Sequence, residues 1–460
     1  MHFEQFNLAC LAQLSYLVGD GGVCAIVDPR RDVDLYLEAA AARGLRITHV
    51  IETHVHADFV SGHVELARRT GAQVLVGQRA QVGYEHVPIQ DGDTVELGAV
   101  TLRFLETPGH TPESLCVLVE EGGRVTRALT GDTLFIGDVG RPDLVGSKGL
   151  TAEQMASMMY DSLRDKLLPL DDEVEVFPGH GAGSACGRNI STALSCTIGQ
   201  QRATNHALQE LTREAFVERM TVGLQPPPAY FPHDAELNRR GAEPLEALPA
   251  WTALAPTDVL AAQATGAVVL DVRGAEAWSQ GHVPGSVCIG LEGNLASWAG
   301  NLLPVESELI VVAETTEEAT TARLRLARVG MHGVRGWLEG GLPAWSSAGQ
   351  PVAAQVRESA ATWQRPAGVR VVDIRGPGEW EAGHVPGAEN LPLPRLLQAL
   401  DGADRQAPLA VICQTGYRSA AAASLLARAG FEQVLDLSGG TQAWIDAGHP
   451  VETPARAGQA

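Results

Sequence analysis

Two stretches of the chain hold side chains whose types and spacing could do chemistry. The first is Thr53-His-Val-His-Ala-Asp-Phe-Val-Ser-Gly-His63, directly after an apolar run, Ile47–Glu52, that reads as a strand. Three imidazoles and a carboxylate gathered at a strand's end point to a metal-binding loop. Further pieces follow at the ends of other strand-like runs: Thr107-Pro-Gly-His-Thr-Pro112, Leu129-Thr-Gly-Asp-Thr133 and Phe177-Pro-Gly-His180. The second stretch is Cys413-Gln-Thr-Gly-Tyr-Arg-Ser419, between the apolar run Leu409–Ile412 and an alanine-rich helix, Ala420–Arg428. A cysteine at such a junction faces backbone N–H groups and a helix N-terminus, which stabilise a thiolate, and Arg418 adds a positive charge. The same cradle suits a persulfide or the sulfite group of thiosulfate. Cys413 and Arg418 are therefore the catalytic candidates, with Gln414, Thr415, Gly416, Tyr417 and Ser419 as substrate contacts.

These loops need a scaffold, and the chain's length of 460 residues predicts two to four domains. Strand-like runs at Val23–Asp28, Ile47–Glu52, Val74–Val76, Val100–Thr107, Leu115–Glu120, Arg127–Gly131 and Val174–Pro178 alternate with helical stretches. The helices are expected at Val33–Arg43, Gly62–Thr70, Ala152–Lys166 and Asn189–Met220. Residues 223–256 are proline-rich and read as a linker packed on a domain surface, because Tyr230 and Phe231 are poor residues to leave in water. Beyond it the chain repeats itself at an offset of about 100 residues. Val269-Leu-Asp-Val-Arg273 returns as Val371-Val-Asp-Ile-Arg375, Gly281-His-Val-Pro-Gly285 as Gly383-His-Val-Pro-Gly387, and Gly340-Gly341 with Trp345 as Gly439-Gly440 with Trp444. Each copy, 257–352 and 360–452, reads as a small α/β domain with a parallel sheet. In the first copy Ala313 stands where Cys413 should be, and Glu318 where Arg418 should be. A loop with no sulfur and a negative charge cannot support a thiolate, so that copy is expected to be inert. Cys288 reads as structural, while Cys186 and Cys196 follow His180 closely in the chain.

Composition narrows the function class. Hydrophobic residues make up 45% and charged residues 19%, a core-forming balance. The formal charge of -21 repels phosphate backbones and anionic lipid, which argues against nucleic-acid and membrane partners. The first residues lack a basic start and a continuous apolar stretch, so no signal peptide is expected. Seven cysteines without regular spacing point to a reducing cytoplasm.

The metal-loop segments, in their order, resemble the metallo-β-lactamase superfamily over roughly residues 1–222, which implies an αββα sandwich with the metal at the edge between its sheets. In dinuclear hydrolases of that superfamily, such as glyoxalase II, a second-metal histidine follows His-x-His-x-Asp; here that position is Phe59. The pattern resembles the persulfide dioxygenases of the superfamily, and that resemblance implies one Fe(2+) per domain held by His54, His110 and Asp132. Two imidazoles and a carboxylate match the facial triad of non-haem iron oxygenases, although zinc peptidases also use such a set. His56, Asp58 and His180 then become groups that orient the ligands, and Arg141 a holder of the substrate's carboxylate. The Cys413 loop, with the segments repeated around it, resembles the rhodanese sulfurtransferases over residues 360–452.

The whole order resembles bacterial persulfide dioxygenase–rhodanese fusions with an inert rhodanese between the active domains. That resemblance implies oxidation of a small-thiol persulfide by O₂ to sulfite and thiol, with thiosulfate made or used through Cys413, as in sulfide detoxification. Glutathione, coenzyme A and other small thiols all remain candidate carriers, and a homo-oligomer is compatible with the chain. One rival reading is a zinc-dependent, glyoxalase II-like thioester hydrolase fused to a sulfurtransferase. Another is a non-enzymatic sulfane-sulfur carrier or sensor.

Overall fold

The computed structural model describes residues 1–144, 149–209 and 211–454. The chain divides into two compact units, residues 1–248 with 327–330, and residues 249–326 with 331–460. Among the described residues, no helix is long and apolar enough to cross a membrane.

The first unit is built on two six-stranded sheets. In one, the strands His2–Leu8, Gln13–Asp20, Val23–Val27, Arg46–Glu52, Gln73–Gly77 and Val87–Ile89 lie in chain order. In the other, Thr94–Leu97, Val100–Glu106, Leu115–Glu121, Arg124–Gly131, Glu175–Pro178 and Cys196–Thr197 do the same. Alternate residues of the facing strands, among them Leu14, Tyr16, Ile51, Phe104, Val117 and Leu129, fill one buried layer between the sheets. The outer face of the first sheet is covered by the helix Asp34–Ala42, and that of the second by Ala152–Asp161 and Arg213–Thr221. The expected αββα sandwich is present.

The expected helix over Asn189–Met220 is corrected to two short helices, Ile198–Thr204 and Arg213–Thr221, with irregular chain before and between them. Asp138 accepts the backbone N–H groups of Arg188 and Asn189 at 2.7 Å each, holding that stretch out of helical geometry. A capping box at Thr197 starts the first helix. Asn205 stops it by bonding the Asp138 carbonyl at 3.0 Å. The helix at Ala152 widens into a π-turn over Ser162–Leu167, where the Ser162 hydroxyl donates to the Pro108 carbonyl at 2.7 Å. Residues 223–248, expected to be a linker packed on a domain surface, lie within the first unit. They include the helix Phe231–Arg240, and Tyr230 and Phe231 are buried as their side chains require.

The second unit holds two five-stranded parallel sheets of identical order. In the first copy the order is Thr252–Leu254, Val334–Leu338, Leu309–Val312, Val268–Asp271, Val287–Cys288. In the second it is Arg357–Ser359, Val434–Ser438, Leu409–Ile412, Arg370–Asp373, Glu389–Asn390. The repeated residues make repeated contacts. Arg273 forks onto Asp271 and bonds the Gly281 carbonyl at 2.8 Å, as Arg375 does with Asp373 and Gly383. Trp345 and Trp444 each donate to a proline carbonyl at 2.8 Å.

Candidate functional site

The metal-loop residues arrive from both sheets of the sandwich. His54 follows the C-terminal end of Arg46–Glu52, while His110, Asp132 and His180 follow the ends of three strands that run the same way in the other sheet. A backbone bond from Leu115 N–H to the Thr53 carbonyl, 2.7 Å, ties the two sheets together at this edge. Close approach is built in by glycine. A methyl group at Gly140 would overlap the Asp132 carbonyl and crowd His110, and one at Gly179 would lie 2.6 Å from Asp132 Oδ1.

His54, His110 and Asp132 meet with one potential donor atom each, all within 4.8 Å of one another and all buried. His110 Nε2 lies 3.4 Å from Asp132 Oδ2, and His54 Nε2 lies 3.8 Å from the same oxygen. Their other atoms are committed elsewhere. His110 Nδ1 bonds the Arg141 carbonyl at 2.9 Å, which fixes the tautomer and turns the Nε2 lone pair inward. His54 Nδ1 lies 3.0 Å from the Thr53 hydroxyl, which donates to Asp28 at 2.8 Å. Asp132 Oδ1 takes a 2.8 Å bond from His180 Nδ1. His110 Nε2 and Asp132 Oδ2 are left buried with no hydrogen-bond partner, the state expected of atoms that hold a cation.

The charges agree with that role. Burial lowers the pKa of His54 and of His110, so both are neutral donors at neutral pH. Burial opposes ionisation of Asp132, but His180, then His54 and His110, outweigh it and hold the carboxyl well below the usual range. His180 is the cationic member. Burial works against its charge, yet Asp132 on one nitrogen and Asp58 at 2.7 Å from the other raise it well above an ordinary histidine.

His56 has its ring 4.1 Å from that of His54 but is not grouped with the triad's donor atoms. Its Nε2 is 3.1 Å from Asp28 Oδ1 and 3.7 Å from Glu52, in a separate buried cluster. Asp28 itself is held at a φ of 51°, left-handed backbone for a non-glycine residue, by the Thr53 N–H at 2.7 Å and the Thr53 hydroxyl. Phe59 is fully buried, its ring 4.4 Å from that of His56. Asp58 and His180 have Cys186 beside them, a third group of possible ligand atoms within 4.8 Å. Arg141 is buried and forks onto Asp143 at 2.6 and 2.8 Å, so its guanidinium already carries a carboxylate partner.

Sequence reasoning missed Asn238. From the helix Phe231–Arg240 its amide nitrogen donates to the carbonyls of His56 at 2.8 Å and Phe59 at 2.7 Å, and its oxygen accepts from Ser61 N–H at 2.8 Å. One buried amide thus fixes three backbone groups of the metal loop, from a stretch that carries no motif. Asp28 was also missed as a member of the site, whereas Cys186, which the sequence sets close to His180, does lie beside it.

In the second unit Cys413 sits at the end of its strand, almost fully buried, with Gly416 N–H donating to Sγ at 3.1 Å. Gly416 takes a φ of 91° as the turn into the helix Tyr417–Arg428. A methyl group at Gly440 would overlap the carbonyls of Cys413 and Gln414, which accounts for the paired glycines after the last strand. Gln414 accepts from Arg375 at 2.9 Å. Arg418 forks onto Glu379 at 2.8 and 2.6 Å, so the loop's cation is shared with a carboxylate that sequence reasoning overlooked. Tyr417 turns away from the sulfur onto the Gly290 carbonyl, and Ser419 is fully buried. In the other copy Glu318 Oε2 accepts the Glu314 N–H at 2.9 Å, so the protein's own carboxylate caps the loop at Ala313.

A buried His–His–Asp triad at the edge of an αββα sandwich, with a Cys–helix loop in a parallel α/β domain, defines a metal-binding protein joined to a sulfurtransferase-type fold. Residues 8–180 match the model of the metallo-β-lactamase superfamily, and residues 255–348 and 357–447 each match the rhodanese-like domain. A probable metallo-hydrolase of Burkholderia pseudomallei is 30% identical over 261 residues, spanning 48% of this chain and 85% of its own length. A hydroxyacylglutathione hydrolase of Anaeromyxobacter dehalogenans is 40% identical over 182 residues, or 39% of this chain; the chain spans 65% of that relative's length. The crystal structure of a metallo-β-lactamase from Staphylococcus aureus is 30% identical, with a TM-score of 0.65 over 73% of this chain and 98% of its own. The chain belongs to the metallo-β-lactamase superfamily, with two rhodanese-like domains following the metal-binding domain.

Removing the Asn238 amide leaves buried backbone groups unpaired beside the ligands. Asn238→Ala is expected to weaken metal binding about 10–100-fold, the range for groups that orient ligands, as read by chelator competition. The rate of Cys413 alkylation should be unchanged in the same protein.

Proposed function

We propose that the protein oxidises a small-thiol persulfide with O₂ at one ferrous ion and moves sulfane sulfur through Cys413. The observation that carries this reading is the donor set. Two neutral imidazoles and one carboxylate oxygen converge, with His110 Nε2 and Asp132 Oδ2 unpartnered, while His56 of the same loop is drawn onto Asp28. That set suits ferrous iron with positions open to substrate. Bound iron would supply the redox chemistry that couples O₂ to sulfur; the balance is R–S–SH + O₂ + H₂O giving R–SH, sulfite and two protons.

The chain's own residues do the rest. His180 holds Asp132 by one oxygen and leaves the other free. Phe59 and Phe135, both fully buried, stand near His180 and keep that side of the site dry. Arg141 supports the site through its carbonyl on His110, and we assign its guanidinium to the substrate's carboxylate, which would compete with Asp143. At the second centre the Cys413 thiolate attacks the outer sulfur of thiosulfate, the S–S bond breaks, sulfite leaves, and a Cys413 persulfide remains. Gly416 N–H steadies the sulfur. Passage of that sulfur to sulfite is the same step reversed, so one loop serves either direction.

A second reading is a zinc thioester hydrolase with two metals. It is favoured by the hydroxyacylglutathione hydrolase relative and by the cluster of Asp58, His180 and Cys186. Metal analysis separates the two. We expect one iron per chain and O₂ uptake with glutathione or coenzyme A persulfide; two zinc ions with thioester turnover and no O₂ uptake would overturn the dioxygenase reading. His110→Ala should abolish O₂ uptake and spare thiosulfate turnover, whereas Cys413→Ser should do the reverse.

Arg418 gives a third expectation. Neutralising its partner with Glu379→Gln leaves the loop's cation uncompensated, which should lower KM for thiosulfate by about twofold to fivefold, the scale of a partly exposed ion pair. Steady-state kinetics at low ionic strength check it.

A further inference from the structure

Tyr417 belongs to the loop that carries Cys413, yet its side chain leaves the active rhodanese-like domain. Its hydroxyl donates to the Gly290 carbonyl of the preceding copy, whose loop has Ala313 in place of the cysteine, at 2.8 Å. The ring lies against Gly293, where even a methyl group would overlap it. The contact continues along the helix Tyr417–Arg428. Ala420 packs with Trp278 and Cys288, Ser424 Oγ accepts the Cys288 N–H at 3.0 Å, and Arg428 donates to the Gly285 carbonyl at 3.0 Å. The helix is therefore gripped at its start, middle and end by residues 285–293. Ser419 to Leu426 are buried without a break, far more than the single stripe of a helix covered on one side. This explains the run of alanines: a helix packed on two faces has room for little else.

We propose that the inert copy is a brace for the nucleophile, and that Tyr417 is the positioning residue through which it sets the Cys413 loop. Gly416 N–H, the group that donates to Cys413 Sγ, belongs to the residue immediately before Tyr417, so the tyrosine's anchorage determines where that N–H points. The hydroxyl bond meets a backbone carbonyl, and the ring needs a glycine beneath it. Loss of catalytic residues from the inert copy at Ala313 and Glu318 leaves both features intact. The inference rests on the reading of Cys413 as a sulfur-transfer nucleophile, but its test is independent of that reading.

The test uses the full chain and reads the rate of Cys413 alkylation by iodoacetamide, followed by peptide mass spectrometry, beside thiosulfate turnover. Tyr417→Phe keeps the ring's volume and should slow alkylation about fivefold, the equivalent of one lost hydrogen bond. Gly293→Ala, placed in the other domain, should slow it at least as much. In a Tyr417→Ala background the pocket is empty, so adding Gly293→Ala should change nothing more, a coupling that a merely structural role would not produce. O₂ uptake should be unaffected throughout. Wild-type alkylation rates in Tyr417→Phe, or a Gly293→Ala effect of equal size in both backgrounds, would overturn the proposal. Should a glycine variant fail to fold, Tyr417→Phe alone decides it. If the wild-type protein lacks thiosulfate turnover while these alkylation effects appear, the brace stands and the sulfur-transfer reading falls.

Discussion

The candidate metal centre depends on the locking of the two sheets at the edge of the sandwich, where backbone hydrogen bonds run from Leu115 to Thr53, from Leu14 to Gly179 and from Gly181 to Ala12. His54 comes from one sheet, and His110 and Asp132 come from the other, so no set of ligands exists until the sheets are locked in a fixed offset. Thr53 makes that lock rigid. Its carbonyl takes one of the cross-sheet bonds, its N–H and hydroxyl bind Asp28, and its hydroxyl touches His54. The strained backbone of Asp28 is tolerated because these bonds over-determine it.

From that lock follows the division of labour among the histidines. Carboxylates, rather than motif order, decide which imidazole is left to bind an ion. Asp28 and Glu52 draw His56 away, Asp58 and Asp132 hold His180 as a cation, and a carbonyl orients His110. His54, His110 and one oxygen of Asp132 remain. Asn238 then secures the loop's outer half from a helix that lies far along the chain.

The two rhodanese-like copies show the same economy. Sheet order, the Asp–Arg fork and the tryptophan bond repeat, so the fold is indifferent to what the loop carries. The loops differ in a few residues. With sulfur and a glycine turn, one holds Cys413 Sγ against the Gly416 N–H. With alanine and Glu318, the other is filled by its own carboxylate. Glu379 tempers the cation of the active loop, a balance between helices that their separate motifs do not announce.

The sequence by itself determined the strand-end histidines and aspartates, the αββα class, the duplication, and the contrast between Cys413 and Ala313. Those features are local: a strand, a turn and the residue types at its end lie within a dozen positions of one another. The long helix expected at Asn189–Met220 failed because Asp138 and Asn205 spend their hydrogen bonds on backbone groups, which periodicity cannot register. Only the tertiary structure decided that Asn238 clamps the metal loop, that Cys186 stands beside Asp58 and His180, that Arg141 and Arg418 are already paired, and that Tyr417 points into the neighbouring copy. Each of these joins residues distant in the chain, and such partners are set by how layers pack, which no single segment encodes.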